Sequence, residues 1–270
     1  MDFGLLAIQA ILIFAVAFIY ANVGLGGGIL FVPILLSTGV ASSHVAVPIS
    51  LTYTIATATS SVINHRKRGF VDFRLGKNLV AGALIGAVLG TFFTLFVLDE
   101  QVFKALFTAI LVLFGTYMLL DWARNDRAVD ADDDSKLTPS RTAGVAAATT
   151  GSGFLSGSMG IGGGLVNVPL LVYGLGRKTR KAIGTSALLI IPTAAVGFSA
   201  YVADLASLPG AFTWPPEFIL IPLLVPVVFV SAFLGSRWGL QALRTRSVTL
   251  IFILVLFVAA AKLVFDLFPR

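Results

Sequence analysis

Between Phe3 and His65 the chain contains no Lys, Arg, Asp or Glu. This stretch is long enough for about three bilayer crossings of roughly 20 residues each. The whole chain is 57% hydrophobic and 12% charged, whereas a soluble domain carries about 25% charged residues because its surface faces water. The sequence therefore predicts a multi-pass integral membrane protein.

The hydrophobic residues fall into ten runs separated by glycines or charges. Backbone polar groups in lipid must be satisfied within their own segment, so these runs predict helices and an all-α fold. The second and seventh runs are short for a helix that crosses about 30 Å of hydrocarbon. The ten segments are 3–22, 29–43, 45–64, 78–98, 103–121, 142–158, 164–176, 182–203, 217–236 and 247–265.

An acidic segment near the middle of the chain separates two halves that resemble each other. Gly24–Leu35 aligns with Gly160–Leu171 without a gap. The matched positions include four glycines and a Val-Pro pair, and the same register pairs Ser50 with Ser186 further along. We therefore predict a duplication, with an N-terminal repeat at 1–121, a cytoplasmic polar linker at 122–141 and a C-terminal repeat at 142–270.

The positive charges predict how the segments are oriented. By the positive-inside rule, loops rich in Lys and Arg lie in the cytoplasm. Alternating crossings between these loops place both termini outside the cell. Sixteen of the nineteen Lys and Arg residues lie in four places, which are 66–77, the central linker, 177–181 and 237–246.

Corresponding loops in the two repeats carry opposite charge bias. The basic loop 66–77 corresponds to 204–216, which has no Lys or Arg. The basic loop 177–181 corresponds to 39–44, which has none either. This pattern predicts two inverted-topology repeats of about five hydrophobic segments each, a construction frequent in secondary transporters.

The glycine clusters are the strongest candidates for a substrate site. Glycine lets the chain leave helical geometry without steric cost, and open N–H groups at the following helix start attract anions. Paired short segments interrupted by Gly and Pro mark the binding sites of many transporters. The alternative is that the glycines only allow close helix packing. The predicted binding glycines are Gly24, Gly26, Gly27 and Gly28, with Gly160, Gly162, Gly163 and Gly164.

Polar side chains near these turns complete the predicted site. Ser50, Asn167, Thr185 and Ser186 could donate hydrogen bonds to an oxyanion without a buried counter-charge. The alternative is that such side chains bond their own backbone or a neighbouring helix, as is common in membranes.

The composition argues against enzymatic, metal and nucleic-acid functions. The chain has no Cys and only two His, so thiol chemistry and common metal sites are not expected. No hydrolytic dyad or triad is recognisable, and we expect no cofactor. The net charge of +6 is explained by basic loops beside membrane spans.

The doubled motif Gly-x-Gly-Gly-Gly-x-x-x-Val-Pro-x-Leu, at Gly24–Leu35 and Gly160–Leu171, resembles the TauE/SafE family of sulfite exporters. The resemblance implies export of sulfite or a small organosulfonate across the cytoplasmic membrane. The first copy has Phe31 where the second has Asn167, so the two copies are not expected to contribute equally.

Several functions remain open on the sequence alone. An anion channel could use the same site, and another small solute, such as a carboxylate or an amino acid, could be the substrate. A structural or assembly subunit is a third alternative, although it gives no reason for paired broken helices. The expected partners are a small anion and the lipid bilayer but no nucleic acid, and self-association into a homo-oligomer is left open.

Overall fold

The computed structural model describes residues 3–22, 24–40, 42–123, 131–207, 214–242 and 245–267. The regular structure within these ranges is helical, and they contain no strand. Five of the helices are long and apolar enough to cross a bilayer. The prediction of an all-α integral membrane protein is confirmed.

Each predicted segment corresponds to a helix. Several helices extend beyond their apolar run, because charged residues continue the helix into the interface. The first half contains α1 (Phe3–Tyr20), α2 (Gly28–Ser37), α3 (Ser43–Lys67), α4 (Phe73–Val97) and α5 (Glu100–Ala123). The second half contains α6 (Pro139–Met159), α7 (Gly164–Pro169) with a π-helical continuation at Leu170–Gly174, α8 (Thr179–Ser207), α9 (Leu220–Ala242) and α10 (Thr245–Leu267).

The short helices form hairpins with the helices that precede them. A Cβ placed on Gly39, just after α2, would lie 3.4 Å from Leu5 at the start of α1. A Cβ placed on Gly174 would likewise lie 2.9 Å from Val145, near the start of α6. Each short helix therefore returns to the end of the protein where its partner began, and the glycine cluster forms the tip of the hairpin.

The second hairpin packs against a helix of the first half. Thr149 on α6 donates a hydrogen bond to the carbonyl of Leu79 on α4 at 2.9 Å. Further along both helices, Thr94 donates to the carbonyl of Ser158 at 2.8 Å. The residue numbers of the contacts increase along both helices in the same direction, so α4 and α6 are parallel.

The first hairpin packs against the second half in the same way. Ser231 on α9 donates to the carbonyl of Phe14 on α1 at 2.6 Å, and Gly235 lies against the carbonyl of Phe18 one turn later. Helices α1 and α9 are therefore parallel. The hairpin of each repeat packs against a helix of the other repeat, so the two halves do not fold as separate units.

The equivalent helices α3 and α8 pack together in opposite directions. Leu51, early in α3, lies 3.1 Å from a Cβ placed on Gly197, late in α8. His65, late in α3, lies 3.0 Å from a Cβ placed on Gly184, early in α8. This antiparallel contact is what an inverted-topology repeat requires; the orientation of the repeats in a membrane stays a prediction.

Three of the four basic segments meet on one face of the protein. Lys181 reaches Asp72 of the 66–77 loop at 3.6 Å and Asp132 of the linker at 3.3 Å. Arg177, with only 4% of its side chain exposed, pairs with Asp134 at 2.6 Å. The described part of the linker is thus packed against the protein, rather than only solvated as its composition suggested. In the fourth basic segment, 237–246, the side chains from 239 onwards lie outside the described residues.

Burial distinguishes the central helix from the helices around it. The most apolar windows of α4 and α5 are only 33% and 28% buried within the protein, whereas that of α3 is 72% buried. The outer helices therefore present apolar side chains to lipid. The interior instead receives the polar side chains of α3, which include Ser50, Thr54, Thr57, Ser60, Ser61 and Asn64.

Candidate functional site

The two glycine clusters adopt the same backbone conformation. Three glycines in each cluster have positive φ, a region that other residues enter only with strain. The three positions coincide in the gap-free alignment of the repeats, so the duplication seen in the sequence is also a duplication of structure. The φ angles are 70°, 77° and 84° at Gly24, Gly26 and Gly27, and 68°, 88° and 72° at Gly160, Gly162 and Gly163.

The two hairpin tips cross in contact with each other. A Cβ placed on Gly164 would lie 2.5 Å from the carbonyl oxygen of Gly24. At the equivalent contact, a Cβ placed on Gly28 would overlap the carbonyl of Gly160. The packing interpretation therefore holds for these glycines, and it places both predicted clusters at one site in the protein interior.

Ser50 and Ser186 hold the crossing together. The Ser50 hydroxyl donates to the carbonyl of Gly160 at 3.1 Å, and the Ser186 hydroxyl donates to the carbonyl of Gly24 at 3.0 Å. Both side chains are fully buried. Each repeat thus binds the turn of the other repeat. In this conformation the two hydroxyl hydrogens are used by carbonyls, so direct donation from these serines to a substrate stays a prediction.

Helix α2 begins with unpaired backbone amides. The first helical hydrogen bonds run from the amides of Leu30 and Phe31 to the carbonyl of Gly27, at 3.1 and 3.2 Å. The amides of Gly28 and Ile29 have no acceptor within the described ranges. These two N–H groups and the positive end of the helix dipole are suited to an anion.

The equivalent helix in the second repeat begins in the same way. The carbonyl of Gly163 accepts from the amides of Val166 and Asn167, both at 3.1 Å. The amides of Gly164 and Leu165 have no acceptor in the part of the chain that is described. The crossing therefore brings together two helix starts whose amides are available.

Thr54 lies between the two turns and was not predicted from the sequence. Its methyl carbon is 2.9 Å and 2.7 Å from Cβ positions built on Gly26 and Gly162. Ile190, its counterpart in the alignment of the repeats, lies 3.3 Å and 3.5 Å from the same two positions. Thr54 follows Ser50 by one helical turn on the same face of α3, and this spacing is the signal that could have identified it.

The remaining predicted side chains have different positions. Asn167 lies in the first turn of α7 with 1% exposure, and its Oδ1 has no partner among the described residues. Thr185 instead accepts a hydrogen bond from the amide of Asp72 at 3.0 Å. Its hydroxyl therefore contacts the basic loop, and the structure does not bring it to the crossing.

A group of buried polar side chains lies beyond the crossing, towards the C-terminal ends of α4 and α8. Thr94 and Tyr201 both donate to the carbonyl of Ser158, at 2.8 and 3.4 Å. The hydroxyls of Ser156 and Ser158 are buried and have no partner within the described residues. Buried hydroxyls normally have partners, so this region has unused hydrogen-bonding capacity.

A second polar group lies on the opposite side, near the C-terminal end of α3. Ser61 donates to the carbonyl of Ala21 at 3.0 Å, and Nδ1 of His65 lies 2.8 Å from the carbonyl of Ser61. The side-chain amide of Asn64 donates to the hydroxyl of Ser236 at 2.6 Å. His65 is the counterpart of Tyr201 when the repeats are aligned. Polar groups thus extend from the crossing in both directions.

Two apolar grooves flank the short helices. One, of about 970 Å³, lies between α5 and the second short helix and includes Leu165 and Pro169. The other, of about 450 Å³, lies between α1, α2 and α10 and includes Leu30 and Pro33. Their linings are almost entirely apolar, so they suit lipid chains and not an anion.

Comparison with known proteins identifies the family. The sequence profile of the TauE/SafE sulfite exporters matches residues 9–263. The chain belongs to the TauE/SafE sulfite exporter family. The family and the relatives below are membrane transporters, so this member is a membrane transporter and not an enzyme.

Relatives from bacteria and archaea share this description. A probable membrane transporter protein of Xylella fastidiosa is 32% identical over 176 residues, which are 65% of this chain and 66% of that protein, just under two thirds of its length. The probable membrane transporter protein YunE of Bacillus subtilis is 24% identical, with 90% of this chain and 92% of that protein covered. A probable membrane transporter protein of Methanocaldococcus jannaschii is 26% identical, with 88% and 86% covered. No solved structure matches the chain.

Proposed function

We propose that this transporter exports sulfite, or another small sulfur oxyanion such as an organosulfonate, by alternating access. The anion binds where the two hairpin tips cross. The observation that carries the proposal is the meeting of two helix starts with open amides in a buried site. Among the described residues no Asp or Glu is buried, so no negative charge of the protein competes with an anion there.

The crossing corresponds to an occluded state of the transport cycle. All residues from Gly24 to Gly28 and from Gly160 to Gly164 are buried. The polar group around Ser158 would form the path to one side, and the group around Ser61 the path to the other. Small movements of the exchanged hairpins against α3 and α8 would open these paths in turn.

The membrane potential favours export of the anion. An inside-negative potential of about 100 mV is worth roughly 2.3 kcal/mol for each charge that leaves the cell. Export of a singly charged anion therefore needs no coupled ion to proceed down its electrochemical gradient at equal concentrations.

The basic face supports the proposed sidedness. The loop containing Lys67, the linker and the loop containing Arg177 lie on one face, and the positive-inside rule assigns that face to the cytoplasm. We place the protein in the cytoplasmic membrane with this face inside and both termini outside.

The proposal is tested by transport in proteoliposomes. Purified protein is reconstituted in vesicles loaded with radiolabelled sulfite, and efflux is measured with and without an imposed potential. We expect saturable efflux, counterflow by external sulfite, and weaker competition from acetate and chloride. Saturable transport of a carboxylate or an amino acid with no response to sulfite would contradict the substrate assignment.

The same purified protein can be used to distinguish a carrier mechanism from a channel mechanism. Because the crossing is buried on all sides, a continuous pore is not expected in this conformation. Counterflow supports the carrier, whereas single-channel currents in planar bilayers would overturn alternating access.

A further inference from the structure

The hydroxyl of Thr54 differs from those of other buried threonines in these helices in its hydrogen bonding. Thr57, Thr91 and Thr193 each donate to the carbonyl four residues earlier, at 2.9, 2.9 and 3.0 Å. The hydroxyl of Thr54 makes no hydrogen bond within the described part of the protein, although the side chain is 0% exposed. A buried hydroxyl without a partner is unfavourable, so its presence calls for an explanation.

The position of Thr54 suggests an explanation for its unpaired hydroxyl. The pseudo-twofold relation between the repeats exchanges Thr54 with Ile190, and both side chains touch both turns. The nearby hydroxyls of Ser50 and Ser186 already donate to carbonyls. Thr54, which lies between the two turns, therefore supplies a hydroxyl that is free to donate.

The two repeats consequently make a site that is not chemically symmetric. On the Thr54 side the methyl group contacts both turns, and the hydroxyl on the same Cβ is without a partner among the described residues. On the Ile190 side there is only an aliphatic chain. An oxygen of a bound anion facing Ile190 would lose its hydration without gaining a hydrogen bond, which is unfavourable.

We propose that Thr54 donates a hydrogen bond to the bound anion, and that Thr54 and Ile190 together determine which oxyanions are accepted. The pair selects an anion with oxygens on one side only. Pyramidal sulfite presents three oxygens on one side and a sulfur lone pair on the other, and an organosulfonate presents a carbon there. Sulfate, with four equivalent oxygens, would have to turn one of them towards Ile190. This inference rests on the proposed function, since it requires an anion at the crossing.

The first test is the isosteric variant Thr54→Val. It removes the hydroxyl but keeps the shape, so the protein without anion should be as stable as the wild type or more stable. A hydrogen bond to a charged group contributes enough that the KM for sulfite should rise at least about tenfold. Thr54→Ser keeps the hydroxyl and should keep the wild-type KM. A KM for Thr54→Val within twofold of the wild type would overturn the role of Thr54.

The second test moves the hydroxyl across the pseudo-twofold axis. Thr54→Ile alone should lose affinity for sulfite, and adding Ile190→Thr should restore it, because the two positions are equivalent with respect to the turns. Ile190→Thr alone provides hydrogen bonds on both sides. Inhibition of sulfite efflux by sulfate should then strengthen about tenfold relative to the wild type. An unchanged ratio of sulfate to sulfite affinity would overturn the selectivity claim.

These outcomes are distinct from a failure of the proposed function. Wild-type protein without sulfite binding or flux would refute the proposed function itself. Wild-type flux combined with an unchanged KM in Thr54→Val would refute only the assignment of Thr54. Size-exclusion profiles and thermal unfolding of each variant show that a raised KM is not caused by misfolding.

Discussion

The close contact of the two hairpin tips makes Gly164→Ala a sensitive test of the crossing. The added Cβ would lie 2.5 Å from the carbonyl oxygen of Gly24 and 2.6 Å from the Cα of Leu25. Both are backbone atoms, so no side chain can rotate away. Real Cβ contacts are not shorter than 3.0 Å, and ordinary ones begin at 3.4 Å, so the turns must separate by about 0.5 to 0.9 Å.

This separation affects the site more than the stability of the protein. The carbonyl of Gly24 is the one that accepts from Ser186 at 3.0 Å, so that hydrogen bond would lengthen or break. Overpacking of this kind costs about 1–3 kcal/mol, which a protein of ordinary stability tolerates. A displacement near 1 Å in a binding site can reduce the rate about 100-fold. We expect folded protein with sulfite efflux reduced about 10- to 100-fold.

A graded series provides the controls. Gly28→Ala places its Cβ even closer to a carbonyl of the opposite turn, and it should be at least as damaging. Gly151→Ala adds a methyl group to the same hairpin at an exposed position with no atom within 4 Å, and it should behave as the wild type. Efflux from Gly164→Ala and Gly28→Ala vesicles within threefold of the Gly151→Ala rate would refute the reasoning.

Three further predictions address the rest of the structure. Ser50→Ala and Ser186→Ala should each lower the free energy of unfolding by about 1–3 kcal/mol, because each leaves a buried carbonyl without its donor. Similar losses measured by thermal denaturation would support the pseudo-symmetry of the two repeats. A loss confined to one variant would argue against it. Arg177→Ala should increase tryptic cleavage of the described linker about tenfold, the effect of losing about 1.4 kcal/mol, whereas unchanged cleavage would mean that the ion pairs do not hold the linker. Since the chain has no Cys, a cysteine at Asp99 should react with an impermeant maleimide on intact cells and one at Lys67 only after permeabilisation. Labelling of both from one side would contradict the predicted sidedness of these loops.

The stability of the linker contact should also depend on pH. Burial of Asp132 tends to raise its pKa, but hydrogen bonds from Lys178 and Lys181 and the charge of Arg177 outweigh this, so the pKa is lowered. A lowered pKa means that the contact stabilises the fold above the unfolded pKa of about 3.9 and loses this effect as the pH falls through the folded value. Trypsin is not active at such low pH, so the assay uses acid-stable pepsin, which should cleave the linker faster as the pH falls below the unfolded pKa of about 3.9. An Asp132→Asn variant should show a smaller pH step, because the pKa of Asp133 is also lowered, mainly by the hydrogen bond from the Ser135 hydroxyl.

The sequence was sufficient to predict the turns but not their contact. Positive φ at Gly24 and Gly160 follows from local chemistry, since glycine tolerates this conformation. The contact between the turns joins residues from opposite halves of the chain, and no local pattern encodes it. Repetition did identify Ser50 and Ser186, because both copies need a hydroxyl to hold the opposite turn.

Features that break the repeat could not be predicted by comparing the two halves. Thr54 was missed because its counterpart is Ile190, so the comparison of halves showed no match there. Arg177 was predicted only as part of a basic cytoplasmic loop, yet its side chain is nearly buried against Asp134. Ion pairs between distant segments depend on how the segments fold back, which charge counts do not reveal. Thr185 was predicted at the site because it is next to Ser186, which lies at the crossing. Its own hydroxyl instead accepts a hydrogen bond from the amide of Asp72.

The central claim is that an oxyanion binds between the two glycine turns, and locating a bound anion tests it most directly. Selenite has the pyramidal shape of sulfite, and its selenium scatters anomalously. In crystals grown with selenite, we expect an anomalous peak at the crossing, with anion oxygens about 3 Å from the hydroxyl of Thr54 and from the amide of Ile29. A peak elsewhere in the protein, with the turns closed on each other as they are here, would contradict the account.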